Sequence, residues 1–324
     1  MDEKKDPCHN SEMSLIDARI LDRIDQKWTQ LNRMRPLSST AVTRLRDQFA
    51  IEFTFNSNGI EGNRLTLRET ELVISQGMTI KGRSLREHLE AKDHHEATRY
   101  LYDVANTKKS GPVSEMLIRS LHRLVVRETE VDSAGSYRKG SVRITGSTHV
   151  PPEGFEIPRL MREFAAWLRA NKQSLHPVVF SALAHHRLAQ IHPFEDGNGR
   201  TARLLMNLLL MKQGYPLVII LKNDRAKYYR ALDLADRGTP SAFVRLIAQA
   251  VERSLDLYLK AADSSLERFI SLSELAKGTR YSPKYLNLLV RSGQLSGHKV
   301  GRNWVSTKTA LKKYEDSRIR KRRI

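Results

Sequence analysis

Apolar side chains recur every three to four residues through most of the first 263 positions, the spacing that lays one stripe of a helix against a core. Ile16, Ile20, Ile24, Trp28 and Leu31 mark a first helix. Thr66 with Glu69 and Ser84 with Glu87 have the spacing of capping boxes and open two further helices. Longer helical patterns run from Pro177 to Ile191, from Arg200 to Gln213 and from Pro240 to Ala262, and Gly214 and Pro216 stop the second. Alternation with a period of two is scarce. It is clearest from Ser141 to Val150, where Val142 and Ile144 alternate with polar residues before Gly146 and the Pro151-Pro152 stop, and it predicts a short β-hairpin. The pattern therefore predicts a mainly α domain with one β-flap.

The small polar stretch Asp263-Ser264-Ser265 reads as a linker, because the pattern changes after it. Ser271 with Glu274 caps a short helix, Gly278 breaks it, and Ser282-Pro283 starts a second helix that ends at Gly293. Lys299 to Val305, with Gly301 inside, reads as a small hairpin or wing, and a last helix starts near Thr307. The expected divisions are residues 1–44, a tail and first helix; 45–262, the helical domain; and 263–324, a small module with a basic tail.

Charge sharpens this division. The chain of 324 residues carries a net charge of +19, and from Ser264 onward 15 Lys and Arg stand against 4 Asp and Glu. Such a surplus points to an anionic partner. The single cysteine, Cys8, excludes an intramolecular disulfide and a thiolate zinc cage, which favours a reducing compartment. The first fourteen residues lack the apolar core of a signal peptide, and no apolar run is long enough to span a bilayer. A soluble, cytoplasmic protein without a membrane partner is expected.

The densest chemistry lies in His192-Pro193-Phe194-Glu195-Asp196-Gly197-Asn198-Gly199-Arg200-Thr201-Ala202-Arg203, between two helical patterns. A Gly-Asn-Gly turn entering a helix offers clustered backbone N–H groups and the positive end of the helix dipole, an anion site suited to phosphate. Arg200 and Arg203 stand three apart on one helical face and can converge on one polyphosphate. Asp196 is a hard oxygen ligand suited to Mg²⁺ shared with phosphate oxygens, and His192 can take a proton near neutral pH. A weaker alternative is a metal phosphohydrolase built on Asp93-His94 and His185-His186, but no further His and Asp spacing supports it.

This run resembles, at every defining position, the HxFx(D/E)GNGRxxR motif of the Fic family, and the resemblance covers roughly residues 45 to 240. It implies a helical Fic domain that moves AMP from ATP onto a Tyr, Thr or Ser hydroxyl of a target protein or of the chain itself, releasing pyrophosphate. His192 would be the general base and Asp196 the Mg²⁺ ligand. Gly197, Asn198 and Gly199 would form the anion hole, Arg200 and Arg203 would bind the β- and γ-phosphates, and Phe194 would anchor the loop. Thr145, Gly146, Ser147 and Thr148 would lie in the family's flap over the nucleotide, and Tyr228 with Tyr229 matches an aromatic pair near the adenine pocket. Asp236 departs from the Asn common in relatives, eight residues after Tyr228.

Upstream, Ser57-Asn58-Gly59-Ile60-Glu61-Gly62-Asn63 resembles the family's inhibitory motif (S/T)xxxE(G/N), which implies that Glu61 pairs with Arg203 where the γ-phosphate belongs. In some relatives the same glutamate helps to remove AMP. The stretch from Phe269 to Gly293 resembles an excisionase- or MerR-like helix-turn-helix, with residues 298–305 as its wing. That resemblance implies DNA contacts from Lys284, Tyr285, Asn287, Arg291 and Arg302. Two functional readings follow: an autoinhibited adenylyltransferase, and a DNA-binding regulator whose Fic domain senses nucleotide. A homo-oligomer is compatible with both.

Overall fold

Twelve of the fifteen residues of one helix are buried, so the fold is best described outward from it. The computed structural model describes residues 15–35, 39–106, 111, 113–144, 147–265, 270–295, 297–300 and 303–321. The helices of the first part are α1 (Ala18–Arg33), α2 (Ser39–Ile60), α3 (Leu67–Gln76), α4 (Leu85–Asn106), α5 (Glu115–Val125), α6 (Ile157–Asn171), α7 (Pro177–Ile191), α8 (Asn198–Lys212), α9 (Arg225–Asp236) and α10 (Ser241–Ser265). The buried helix is α8, and α4, α5 and α7 pack around it. The seven apolar buried residues of α8 are covered only in such a place.

Local sequence sets the ends of these helices. Asp17 caps α1, and Thr66 with Glu69 forms a reciprocal capping box on α3. Ser84 and Glu87 exchange the same pair of bonds at the start of α4. Gly77 and Gly214 take up positive φ where α3 and α8 stop. The end of α8 is also closed from outside: the Trp28 indole donates to the Gln213 carbonyl at 3.1 Å, and Arg35 donates to the Gly214 carbonyl at 2.7 Å. Inside, the Asn207 amide exchanges two bonds with the backbone of Val218, at 2.7 and 2.9 Å, and pins the buried Leu217–Ile220 segment against α8.

Clustering of contacts divides the chain into two compact units, residues 1–35 with 42–259 and residues 36–41 with 260–324. The second contains a three-stranded antiparallel sheet ordered β1 (Ile270–Ser271), β3 (Asn303–Ser306), β2 (Gly297–Val300). It also contains α11 (Leu272–Ala276), α12 (Pro283–Arg291) and α13 (Lys308–Lys321). Leu272, Leu275, Leu286, Leu289, Leu295 and Leu311 form its core. Ser282 caps α12 through the Tyr285 amide, and Thr307 caps α13 through the Ala310 amide.

Two expectations are corrected. None of the described residues within 141–150 lies in a strand. One turn bond survives, from Ser147 N–H to the Ile144 carbonyl at 3.1 Å, and the side chains bond outward instead, Thr148 to Asp233 and His149 to the Gln190 carbonyl, each at 2.8 Å. An isolated two-stranded hairpin is marginal in water, and ties to the helical body replace its ladder. Thr145 and Gly146 lie outside the described residues. The stretch Asp263-Ser264-Ser265 is not an extended linker, because α10 continues through it to Ser265. No Gly or Pro occurs between Pro240 and Gly278 to stop a helix there.

Leu205, fully buried at the middle of α8, tests this architecture. Leu205→Ala is expected to destabilise the protein by about 2–5 kcal/mol, through lost transfer energy and the cavity left behind, as measured by urea denaturation.

Candidate active site

The turn from α7 to α8 is built around Phe194, which is fully buried and stacked on the His122 ring with centroids 3.7 Å apart and planes 2° from parallel. The Asn198 side chain closes the turn on itself, accepting from Phe194 N–H at 2.9 Å and donating to the Phe194 carbonyl at 2.8 Å. The Gly135 amide donates to His122 Nδ1, so Nε2 carries the proton and donates to the Asp196 carbonyl, each at 2.9 Å. Burial lowers the His122 pKa to about 4, in keeping with that neutral tautomer. Gly197, at φ 75°, supplies the left-handed step into α8.

His192 ends α7 at φ 50° and is the one residue other than glycine with positive φ among those described. Its Nδ1 lies 3.2 Å from the Ala189 carbonyl. A carbonyl only accepts, so Nδ1 carries the proton and the lone pair is left on Nε2. Burial lowers the His192 pKa, the Ala189 carbonyl acts against it, Arg138 lowers it further and Glu61 opposes that. The imidazole is therefore neutral at pH 7 and can accept a proton.

Arg203 is 1% exposed, and every nitrogen of its guanidinium is engaged. Nε donates to Ser57 Oγ at 2.9 Å, Nη2 to the Ser57 carbonyl at 2.9 Å and to Glu61 Oε1 at 2.7 Å, and Nη1 to Tyr228 Oη at 3.3 Å. Burial works against the charge, but Glu61 and Tyr228 outweigh it and the pKa is raised. Tyr229 Oη donates to the other Glu61 oxygen at 3.3 Å. Glu61 Oε1 also lies so close to the start of α8 that a Cβ on Gly199 would collide with it. A carboxylate thus stands at the N-terminal end of α8, where the helix dipole favours an anion.

Arg200 is equally buried. Nη2 donates to Asp196 Oδ2 at 3.1 Å, while Nε and Nη1 have no hydrogen-bond partner, Nη1 lying 3.9 Å from Glu90 Oε1 in an ion pair. Asp196 Oδ2 also accepts from Arg86 at 2.8 Å, and Oδ1 accepts from the Gly197 amide at 2.6 Å. Burial raises the Asp196 pKa, but Arg200, the Gly197 amide and Arg86 bring it below the ordinary value.

The sequence-derived residues Ser57, Glu61, His192, Asp196 to Arg200, Arg203 and Tyr228 meet in one site. Thr148 is tied to α9 at the same end of the domain, and Ser147 Oγ accepts from the His149 amide at 3.1 Å. Asp236 binds His186 Nε2 at 2.8 Å, and His185 Nε2 binds Tyr228 Oη at 3.0 Å. Asp93-His94 and His185-His186 do not assemble a metal cluster: among the described residues no group of three His, Cys, Asp or Glu is placed to hold an ion. In the second unit Lys284 and Arg291 are exposed and Asn287 is half-buried. Tyr285 is turned to the core, stacked on Tyr281 and bonded to Tyr314 Oη at 3.1 Å, while Arg302 lies outside the described residues. Sequence reasoning missed Arg86, His122 and Arg138, whose partners are 110, 74 and 54 residues away and leave no local spacing signal.

Comparison with known proteins bears on this site. The family model for the Fic/DOC family matches residues 112–210. A protein adenylyltransferase Fic from Drosophila ananassae is 40% identical over 247 residues, 76% of this chain and 49% of that protein, so the chain spans about half the length of the curated relatives it matches. A Fic domain-containing signalling protein from Bacteroides thetaiotaomicron superposes with a TM-score of 0.68 and 33% identity over 75% of this chain and 97% of that one. Fic-1 from C. elegans superposes with a TM-score of 0.68 and 33% identity over 76% and 72%.

The tautomer of His122 gives a pH prediction. Its folded pKa, about 4, lies below the free value of 6.5, so the unfolded chain binds the proton first as pH falls. The stability it contributes is complete above about pH 6.5 and is lost as pH falls through 4, amounting to about 3 kcal/mol at most. Asp93, raised by burial to about 6, has the opposite sign across part of that window, so the check is residue-specific. The His122 ring should titrate near 4 by NMR, and a titration near 6.5 would contradict the buried stack.

Proposed function

Because this chain belongs to the Fic family, we propose that it is an autoinhibited protein adenylyltransferase that moves AMP from ATP to a Tyr, Thr or Ser hydroxyl of a target protein or of itself. The observation that carries this reading is the pairing of a neutral, half-buried His192 with an anion site that Glu61 already fills. In the forward step His192 Nε2 takes the proton of the target hydroxyl. The hydroxyl oxygen forms a bond to the α-phosphorus of ATP, the bond from that phosphorus to the bridging oxygen breaks, and pyrophosphate leaves. The amides of Gly197, Asn198 and Gly199 and the two Arg200 nitrogens without a hydrogen-bond partner are suited to hold phosphate oxygens. Arg203 would grip the terminal phosphates, with Tyr228 beside it.

The residues present fit Mg²⁺. Asp196 offers one hard carboxylate beside the phosphate site, and Mg²⁺ is commonly held by one or two carboxylates together with substrate phosphates. Bound there, the ion would neutralise phosphate charge. Arg86 and Arg200 hold Asp196 Oδ2 and would have to yield it.

The brake follows from competition for one guanidinium. While Glu61 occupies Arg203 Nη2 at 2.7 Å, that fork cannot also grip a γ-phosphate. The same carboxylate, near His192, supports a second reading in which the enzyme removes AMP from a modified target. The second unit is read as a winged helix-turn-helix module for DNA, on the strength of its exposed Lys284 and Arg291 and its concentrated positive charge.

Two experiments test these readings. Glu61→Gly should raise incorporation of α-labelled AMP into protein by at least roughly tenfold, the effect of removing one charge-assisted contact. Adding His192→Ala should remove about a hundred- to ten-thousandfold of that rate while ATP binding persists. No label with the folded Glu61→Gly protein would remove the transferase reading. For the second unit, the logarithm of duplex DNA affinity should fall linearly with the logarithm of salt concentration, and Arg291→Ala should lower the affinity further. Salt-independent or absent binding would exclude a DNA role.

A further inference from the structure

Arg138 donates four hydrogen bonds, two of them to the catalytic turn, and none of them is with a side chain. The residue is 2% exposed. Nε donates to the His192 carbonyl at 2.7 Å, Nη1 to the Gly140 carbonyl at 2.6 Å and Nη2 to the Pro152 carbonyl at 2.6 Å. Its own amide donates to the Pro193 carbonyl at 3.0 Å. Gly140 and Pro152 bracket the 141–151 segment, so one planar group ties both ends of that segment to the backbone of His192.

This bracing falls where the chain is strained. A left-handed conformation for a residue other than glycine persists only where its surroundings over-determine it. At His192 those surroundings are the bonds from its own amide to Leu188 and from its Nδ1 to Ala189, and the two Arg138 bonds to the carbonyls of His192 and Pro193.

The geometry points to Arg138 as the positioning residue of the transfer reaction, holding His192 and the neck of the 141–151 segment at a fixed separation so that the base meets the acceptor hydroxyl. This inference rests on the transferase reading. A carboxylate partner would hold Arg138 as an ion pair, whereas three carbonyls in fork geometry make it a geometric clamp that lysine cannot reproduce. The charged and titratable groups that bear on His192 are Arg138, Glu61 and His149, so Arg138 also helps to keep the base neutral.

The test uses Arg138→Gln and Arg138→Lys, each in the full-length Glu61→Gly protein. Transfer of α-labelled AMP is followed against pH, with ATP affinity measured by calorimetry and folding by thermal denaturation. Both variants should lose roughly a hundredfold in kcat, the cost of misplacing a base by about 1 Å, with ATP affinity within about twofold of the parent. Arg138→Gln should also move the acidic limb of the rate profile to higher pH, because loss of the charge raises the His192 pKa. Arg138→Lys keeps the charge and should restore the limb without restoring the rate. Rates within about twofold of the parent, or losses accounted for by unfolding or lost ATP binding, overturn the proposal. If Arg138→Gln does not fold, the rate of Arg138→Lys decides. If the Glu61→Gly parent itself transfers nothing, the transferase reading fails. The position of the His192 ring then decides for Arg138: NMR shifts of the His192 ring and the Phe194 amide displaced in both variants support the clamp, and shifts unchanged in both overturn it.

Discussion

A guanidinium buried to 1% exposure cannot lose its proton and cannot be left unpaired, and much of the site follows from satisfying Arg203. Ser57 presents its carbonyl and hydroxyl from α2, Glu61 follows as the chain leaves that helix, and Tyr228 closes the remaining side from α9. The turn after α2 is held by the bond from Arg225 to the Ile60 carbonyl. Gly199 lacks the Cβ that would keep the Glu61 carboxylate away from α8. A residue suited to polyphosphate must carry charge, and in the absence of polyphosphate the fold supplies the anion itself. On the proposed reading, inhibition and ligand binding are two answers to one electrostatic demand.

The histidines around this charge answer the opposite demand. Burial lowers the pKa of His94, His122, His185 and His192, and nearby arginines lower each of them further. Neutral imidazoles then serve as directional hydrogen-bonding groups. His122 holds the Asp196 carbonyl, His185 meets the hydroxyl of Tyr228, and His192 turns its protonated nitrogen to Ala189. With Phe194 stacked and Asn198 closing the turn, the donors at the start of α8 are set before any substrate arrives, which is the condition for electrostatic catalysis without reorganisation.

The helices were legible because their determinants are local. Periodicity and capping residues act within one or two turns, and Thr66 with Glu69 or Ser84 with Glu87 specifies a helix start wherever the helix is placed. The run from His192 to Arg203 was legible for the same reason, since twelve consecutive residues hold a turn, a helix start and the side chains proposed to act there. The hairpin over 141–150 was over-read, because alternation describes which side chains face inward and leaves open whether the backbone finds a strand partner. The linker at 263–265 was over-read because small polar residues remain helical when neither Gly nor Pro interrupts them.

What the sequence determined by itself was therefore the helical class, most element ends, the chemical identity of the loop between α7 and α8 and the concentration of positive charge toward the C-terminus. The tertiary structure decided which charges meet: Glu61 with Arg203 across 142 residues, Arg86 with Asp196 across 110, and Arg138 with the His192 carbonyl across 54. Backbone carbonyls carry no residue identity, so a clamp such as Arg138 leaves no trace in its partners' sequence. Pairings between distant residues depend on how the helices pack, and packing is a property of the whole chain.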